Sequence, residues 1–140
     1  MINILSGINS TSSALDAERI RMDVITQNIA NSTLTHDVDG KPYQRRQVVF
    51  EKVLNQQLGA DTAAGGVQVA RIIKDPRPAQ MIYEPDNPEA DARGMVAKPN
   101  VNIHEEMADL IAASRSFEAN LAVVRNARTM ALQTLSIGKR

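Results

Sequence analysis

The sequence predicts a mainly α-helical protein with a small β-rich insertion, in which helices at the two ends form an antiparallel coiled-coil pair and short strands lie between them. Apolar residues recur at helical spacing at both ends of the chain. The middle instead holds all six prolines and five of the seven glycines, together with short β-rich runs. Only 3% of the residues are aromatic, so we expect a core of mainly aliphatic side chains, which suit helix seams better than a β-sandwich.

The first helix is predicted to extend to about Asn31 and to carry a narrow apolar stripe. An apolar residue stands at every seventh position, which keeps the row on one face of a helix; the row consists of Met1, Ile8, Leu15, Met22 and Ile29. A second row is incomplete, because Thr11 and Glu18 occupy positions where a self-sufficient coiled coil would have leucine. We therefore expect this helix to need partners.

The last helix is predicted to run from near Val101 to Ile137. Its apolar residues alternate at spacings of three and four, and they are Ile103, Met107, Leu110, Phe117, Leu121, Val124, Ala131 and Leu135. Ser114 and Arg128 interrupt the row; Arg128 either extends to the edge of the helix pair, which is the simpler interpretation, or forms an ion pair across a subunit boundary. A second face is also apolar and comprises Ile111, Val123, Ala127, Met130, Leu132 and Ile137. One partner helix would not cover both faces, which suggests further helices from other subunits.

Both ends of this helix carry sequence signals. Asn102 is predicted to be the N-cap, and Glu105 is placed three positions later to complete a capping box. Gly138 is expected to end the helix in the left-handed conformation, followed by Lys139 and Arg140, which complement the negative end of the helix dipole.

The middle of the chain is predicted to hold three strands, at residues 43–50, 67–73 and 79–83. Few of its residues are bulky and apolar, so we expect this part to depend on the helices for its stability. The predicted division is a helical segment at residues 1–34, a small β-rich domain at residues 35–100 and a second helical segment at residues 101–140.

Composition and motifs argue against an enzyme, a cofactor or a metal site. The absence of cysteine excludes disulfides, thiol catalysis and Cys-ligated zinc. His104 and Glu105 resemble the start of a zinc-protease motif, but Ala108 stands where the motif needs its second histidine. The sequence contains no nucleophile elbow and no phosphate-binding loop. Sixteen acidic residues balance sixteen scattered basic ones, so nucleic-acid binding is not expected.

The sequence also bears on membranes and export. No run approaches the roughly 20 apolar residues of a membrane-spanning helix. Residues 1–7 lack the basic region and the long apolar region of a secretory signal. We therefore expect no integral membrane span and, if the chain leaves the cytoplasm, a route that needs no cleaved signal peptide.

The first predicted helix ends in the segment Gln27-Asn28-Ile29-Ala30-Asn31-Ser32-Thr33-Leu34-Thr35. This segment resembles the Asn-x-Ala-Asn-x-x-Thr signature of the bacterial flagellar axial proteins, which build the rod, the hook and the hook junction. Later segments are similar to the proximal rod members of that family, among them Gly40-Lys41-Pro42-Tyr43, Gly65-Gly66-Val67-Gln68-Val69, Tyr83-Glu84-Pro85-Asp86-Asn87-Pro88 and Ala113-Ser114-Arg115-Ser116-Phe117-Glu118-Ala119-Asn120. The resemblance extends over the whole chain, with Met95 where an aromatic residue is common.

The resemblance implies a structural, non-enzymatic subunit of the flagellar basal-body rod, the shaft that transmits motor torque. It further implies export by the flagellar type III apparatus, a location in the rod where it crosses the periplasm, and assembly with copies of itself and with other rod proteins. Asn28 and Asn31 are expected to cap or turn the backbone after the first helix, because Asn side chains readily bond nearby backbone groups. The side chains expected to pack in the assembly are Ile8, Leu15, Met22, Asn28, Ile29, Ala30, Asn31, Met107, Leu110, Phe117, Leu121, Val124 and Leu135.

Two alternatives stay open at this point. The chain could be another rod subunit of the same family, which the middle segments disfavour. It could instead be a helical adaptor or export chaperone that binds the amphipathic helix of a partner. A stable dimer at low concentration, with folded terminal helices, would favour the adaptor.

Overall fold

The computed structural model describes residues 4–37, 39–53 and 65–138. Along these residues the elements are α1 (Ile4–Ala30), β1 (Arg46–Val53), β2 (Gly66–Lys74), β3 (Gln80–Tyr83), β4 (Met95–Lys98) and α2 (Ile103–Ile137). The predicted fold class is confirmed, since two terminal helices flank a small insertion of antiparallel strands.

The two helices contact each other and run antiparallel. Asn28, near the end of α1, is hydrogen-bonded to Glu106, near the start of α2. Arg21, about two turns earlier in α1, lies 3.9 Å from Asp109, which is further along α2. At 1.5 Å per residue, the 27 residues of α1 span about 40 Å and the 35 residues of α2 about 52 Å. Over the residues described, neither helix is apolar enough for its length to cross a membrane.

The strands form two separate two-stranded sheets. β1 pairs antiparallel with β2, with Arg46 opposite Lys74, and a bulge between Val49 and Phe50 shifts the register. β3 pairs antiparallel with β4. The sequence predicted β1, β2 and β3 to within three residues of their bounds, but it gave no indication of β4.

β4 escaped prediction because it is short and bounded by residues that normally interrupt strands. Gly94 precedes it with φ +75°, and Pro99 follows it. A Cβ atom at Gly94 would lie 2.9 Å from the Tyr83 ring. Glycine suits this position for two reasons. It adopts the left-handed conformation without strain, and its lack of a side chain allows the two strand ends to approach closely.

Two serine hydroxyls of α1 anchor the start of β2. Ser13 Oγ accepts the Val67 backbone N–H at 3.1 Å, and Ser10 Oγ donates to the Gly65 carbonyl oxygen at 2.9 Å. A Cβ atom at Gly66 would lie 2.9 Å from Ser13 Oγ. The absence of a side chain at Gly66 thus allows the first sheet to lie close against α1.

The ends of α2 agree with the sequence only in part. Asn102 is the N-cap, and its Oδ1 accepts the His104 backbone N–H at 3.1 Å. Glu105 was expected to complete a capping box. Its Oε2 atom lies 3.8 Å from Nη1 of Arg77. The predicted left-handed conformation of Gly138 is wrong: its φ of −75° and ψ of −6° continue the right-handed helix, and its N–H still bonds the Thr134 carbonyl. Lys139 and Arg140 lie outside the described residues.

The buried core is small and lies where the helices meet the strands. Its apolar members are Ala17, Val24, Ile25, Tyr43, Val96, Val101 and Ala113. Buried polar residues accompany them, namely Asn28, Asp75, Asn100 and Glu106. Buried polar groups cost free energy unless they are hydrogen-bonded, so their partners define the centre of the fold.

Candidate functional site: a buried polar junction

Asn28 lies near the end of α1, and its side chain is completely buried. Its Nδ2 atom donates to the Arg46 carbonyl oxygen and to Oε2 of Glu106, both at 2.9 Å. Its Oδ1 atom accepts the Arg46 backbone N–H and the Tyr43 hydroxyl, also both at 2.9 Å. A carboxamide offers two donors and two lone-pair acceptors, and all four are used here. One side chain of α1 thus holds the beginning of β1 and the beginning of α2.

Arg45 binds carboxylates from two different elements. Its Nε atom donates to Oε1 of Glu106, and its Nη2 atom donates to Oδ2 of Asp109 at 3.2 Å. Its Nη1 atom lies 3.6 Å from Oδ2 of Asp75, which follows β2. Glu106 is completely buried and the Arg45 side chain nearly so. A buried carboxylate requires both an opposite charge and hydrogen bonds, and Glu106 receives them from Arg45 and Asn28.

Asp75 and Asn100 complete the cluster. Asp75 accepts the backbone N–H of Arg77 at 2.9 Å, Nε of Arg77 at 3.0 Å and Nε2 of Gln47 at 3.0 Å. Asn100 accepts the Arg45 backbone N–H at 2.7 Å and donates to the Arg77 carbonyl oxygen at 2.8 Å. We call the whole cluster the polar junction; it consists of Asn28, Tyr43, Arg45, Asp75, Asn100 and Glu106.

Two ionisable groups of the polar junction have shifted pKa values. Hydrogen bonds from the Arg77 side chain outweigh the effect of desolvation and lower the pKa of Asp75 below its ordinary 3.8. Burial raises the pKa of the Tyr43 hydroxyl above its ordinary 10.0. At neutral pH Asp75 is therefore ionised and Tyr43 is protonated. These are the forms that accept and donate the observed hydrogen bonds.

The polar junction acts as a fixed connection between the helices and the first sheet. The hydrogen-bonding capacity of Asn28 is filled, and Arg45 neutralises Glu106, so these groups are committed to partners within the chain. Within residues 4–37, 39–53 and 65–138, no group of three or more His, Asp or Glu side chains is arranged to hold a metal ion. The arrangement joins α1, β1, β2 and α2 at one point.

On α1, the predicted packing residues lie beside the buried face. The buried residues of α1 are Ala17, Val24, Ile25 and Asn28. The seven-residue row is half-buried where it is described, at Ile8, Leu15, Met22 and Ile29. Asn31 is half-buried and donates from Nδ2 to the Gln27 carbonyl oxygen at 2.9 Å, whereas Ala30 is exposed. Met1 lies outside the described residues.

On α2, the least exposed residues form two adjacent rows. One row has a buried or half-buried residue every seventh position, at Glu106, Ala113, Asn120 and Ala127; the other consists of Leu110, Phe117, Val124 and Ala131. The second row contains three of the predicted packing residues. Of the others, Leu121 is half-buried, while Met107 is 52% and Leu135 66% exposed. The packing role of all these residues in an assembly stays a prediction.

The second apolar face of α2 is largely uncovered in the single chain. Ala127 is half-buried and Arg128 is exposed. Every large apolar residue of this face is more than half exposed, namely Ile111, Val123, Met130, Leu132 and Ile137. Isolated exposed apolar residues are ordinary, but five large ones along a single helix indicate a surface that a partner covers.

Sequence reasoning missed most of the polar junction. It singled out Asn28 but expected a bond to nearby backbone, whereas the actual partners are 15 to 78 residues away. Arg45, Asp75 and Asn100 were not recognised. One sequence feature could have pointed to the burial of Glu106, namely that it shares a heptad position with Ala113. Glu106 is therefore a carboxylate in a row of positions that faces the interior of the chain.

Comparisons with known proteins agree with the resemblance noted in the sequence. Residues 8–35 match the family model described as Flagella basal body rod protein, and residues 92–137 match Flagellar basal body rod FlgEFG protein C-terminal. The chain is 41% identical over 138 residues to the flagellar basal-body rod protein FlgC of Yersinia enterocolitica, a match that covers 99% of this chain and 100% of the relative. Proteins of the same name from Bacillus subtilis (strain 168) and Borreliella burgdorferi are 39% and 38% identical, with 94% and 97% of this chain and 96% and 98% of the relatives covered. This chain therefore belongs to the FlgC family of flagellar basal-body rod proteins.

Proposed function

We propose that this chain is a structural subunit of the flagellar basal-body rod, in its proximal part, and that it polymerises with copies of itself and with other rod proteins. The observation that carries the proposal is the uncovered apolar face of α2. A helix with apolar residues on more than one side is stable in water when other helices cover it. The membership of the chain in a family of rod proteins indicates that these helices come from neighbouring subunits.

The mechanical role of the rod is to transmit torque, and the polar junction suits a subunit that bears load. Hydrogen bonds and ion pairs fix the strands to both helices at Asn28, Arg45 and Glu106. Their donors and acceptors are buried, where water does not compete for them. A force applied to the strand region is therefore passed to both helices and through them to adjacent subunits.

We also propose a division of labour along the chain. Residues 1–34 and 101–140 would supply the rod core as an antiparallel helix pair, and residues 35–100 would form a small domain attached to it. Helices of about 40 Å and 52 Å allow neighbouring subunits to overlap over several turns. Stiffness would then arise from many packed seams at once.

The chain would reach the rod through the flagellar type III export apparatus, with α1 retained. Val24, Ile25 and Asn28 of α1 are buried against the rest of the chain, so removal of α1 would expose the core and take away the hydrogen bond that Asn28 donates to Oε2 of Glu106. Mass spectrometry of purified basal bodies should detect peptides from residues 4–30. A mature chain that begins after Asn28 would contradict this part of the proposal.

The decisive experiment deletes the gene for this chain and then restores it. We expect cells without the chain to lack rods and motility, and purified basal bodies of restored cells to contain it. An adaptor or export chaperone, which the rod names of the relatives do not favour, would instead stay outside the purified basal body. Normal rods in the absence of the chain would refute the proposed function.

A further inference from the structure

A groove of about 360 Å³ lies beside the polar junction, where α1, β1 and α2 meet. Its lining contains three arginines, two carboxylates and several apolar side chains. They include Arg21, Arg45, Arg46, Glu106, Asp109, Val24, Val48 and Phe50. Because the walls come from three separate segments of sequence, the groove exists only in the folded chain.

The arginines outnumber the carboxylates in this lining, so the groove keeps an excess of positive charge. Arg46 has no ion-pair partner among the residues that the structure describes, and its guanidinium lies over the Tyr43 ring, 5.7 Å from the ring centre. Arg21 is held only loosely, 3.8 Å from Glu18 and 3.9 Å from Asp109. Arg45, in contrast, is committed to carboxylates of the polar junction. The groove therefore favours a guest with negative charge.

The apolar lining adds a second requirement. Val24 is buried at the α1 side of the groove, and Phe50, on β1, remains 39% exposed. Water in contact with such a surface is displaced favourably by another apolar surface. A ligand that is complementary to both the arginines and the apolar lining has a carboxylate next to apolar side chains. A segment of a protein offers this combination.

We propose that this groove receives an Asp or Glu side chain of a neighbouring rod subunit, which Arg21 and Arg46 bind while apolar residues of the same segment cover Phe50. The inference rests on the proposed function, which places neighbouring subunits around every copy. Arginine suits the task because its planar guanidinium binds a carboxylate through two parallel hydrogen bonds. Charge complementarity also excludes a basic segment, which would meet like charge at this site.

Charge substitutions test the electrostatic part of the proposal. We expect Arg21→Gln and Arg46→Gln each to reduce the number of basal bodies per cell by about tenfold, since a weakened contact recurs in every subunit, and the double variant Arg21→Glu/Arg46→Glu to abolish them. Arg19→Glu on α1 and Arg71→Glu on β2 change the same charge at exposed positions outside the groove and should leave the number unchanged. Normal numbers of basal bodies with the double variant would overturn the proposal.

Photo-crosslinking provides a measurement that does not depend on the stability of the arginine variants. The photoreactive residue p-benzoylphenylalanine replaces Phe50, and assembled basal bodies are irradiated and digested. We expect an adduct with a peptide of a rod subunit that contains Asp or Glu beside apolar residues. Two outcomes would overturn the proposal. One is the absence of an adduct, which is expected if the groove holds a small inorganic anion, and the other is an adduct with a peptide that lacks acidic residues. Absence of the chain from the basal body would instead refute the proposed function, so the two failures are distinguishable.

Discussion

Nδ2 of Asn28 lies 2.9 Å from Oε2 of Glu106, which is 78 positions later in the chain, and both side chains are completely buried. The bond joins α1 to α2 at the level where β1 begins, since the same carboxamide also holds the backbone of Arg46. A buried donor or acceptor that loses its partner costs more than the hydrogen bond itself contributes. The junction should therefore dominate the response of the chain to substitution.

Replacement of Asn28 with alanine should lower the free energy of unfolding by about 3 kcal/mol or more. The substitution leaves both backbone groups of Arg46, the Tyr43 hydroxyl and one oxygen of Glu106 without their partner, and each unsatisfied buried group costs roughly 1–3 kcal/mol. Denaturant unfolding of the purified chain measures the change. Asn31→Ala is the matched control, because among the described residues the half-buried Asn31 side chain bonds the nearby Gln27 carbonyl alone, in a hydrogen bond that is open to solvent; it should cost less than about 1 kcal/mol. Equal effects of the two substitutions would contradict this prediction.

Arg45→Met should destabilise the chain by about 3–5 kcal/mol, because it leaves Glu106 as a buried charge without its cation. Arg45→Lys should recover only part of this loss, since lysine lacks the fork that reaches both Glu106 and Asp109. Unfolding curves of the two variants give the comparison. Arg71→Lys, at an exposed position of β2, serves as the control and should stay within about 0.5 kcal/mol of the unsubstituted chain. An Arg45→Met variant as stable as the control would exclude a stabilising role for the ion pairs.

Asp75 should make the chain sensitive to acid. Its pKa is lower in the folded chain than the ordinary 3.8, chiefly because of hydrogen bonds from Arg77. The resulting stabilisation is fully present above the pKa of the unfolded chain and is lost as the pH falls through the lower folded value. Asp75→Asn should therefore flatten the dependence of unfolding free energy on pH in the acid range. The measurement is denaturant unfolding from pH 6 down to pH 2, and an unchanged slope in the variant would show that Asp75 does not contribute.

The helices and most strands could be predicted because their signals are local. Periodic apolar residues mark α1 and α2, and alternation marks β1 and β2. Within the single chain, Met107 and Leu135 of the predicted seam of α2 are exposed, and their packing in an assembly stays a prediction. The row that is least exposed instead contains Ala113 and Ala127, and small side chains of this kind allow close approach of a partner helix.

The polar junction could not be derived from local patterns. Arg45 and Glu106 are 61 positions apart, and their pairing depends on how the helices and the first sheet pack. Charged residues are usually solvated, so a sequence gives no reason to bury either one before the partner is known. Asn28 was found because it stands in a recognisable segment, yet its role depends on the distant backbone of Arg46.

Hydrogen exchange in the dilute chain should reveal a gradient of stability along the helices. Residues 17–28 and 106–117 contain the buried positions of α1 and α2, whereas most of residues 123–137 are exposed. Backbone amides with few buried contacts open more readily. We expect the amides of residues 106–117 to exchange more slowly than those of residues 123–137. In assembled basal bodies the difference should diminish, and uniform protection in the dilute chain would contradict the idea that neighbours stabilise the end of α2.

Leu135→Asp should prevent rod assembly while leaving the single chain folded. Leu135 is 66% exposed, so a carboxylate at this position should change the free energy of unfolding by less than about 0.5 kcal/mol. In a seam between subunits the same carboxylate would be buried without a partner, at an expected order of several kcal/mol for each copy. Gln133→Asp is the matched control, because Gln133 is an exposed polar residue on another side of the same turn, and it should be tolerated. Circular dichroism verifies folding, and motility together with counts of basal bodies measures assembly. Normal rods with Leu135→Asp would show that this row is not an assembly seam, and helix packing through the end of α2 would have to be abandoned as the basis of polymerisation.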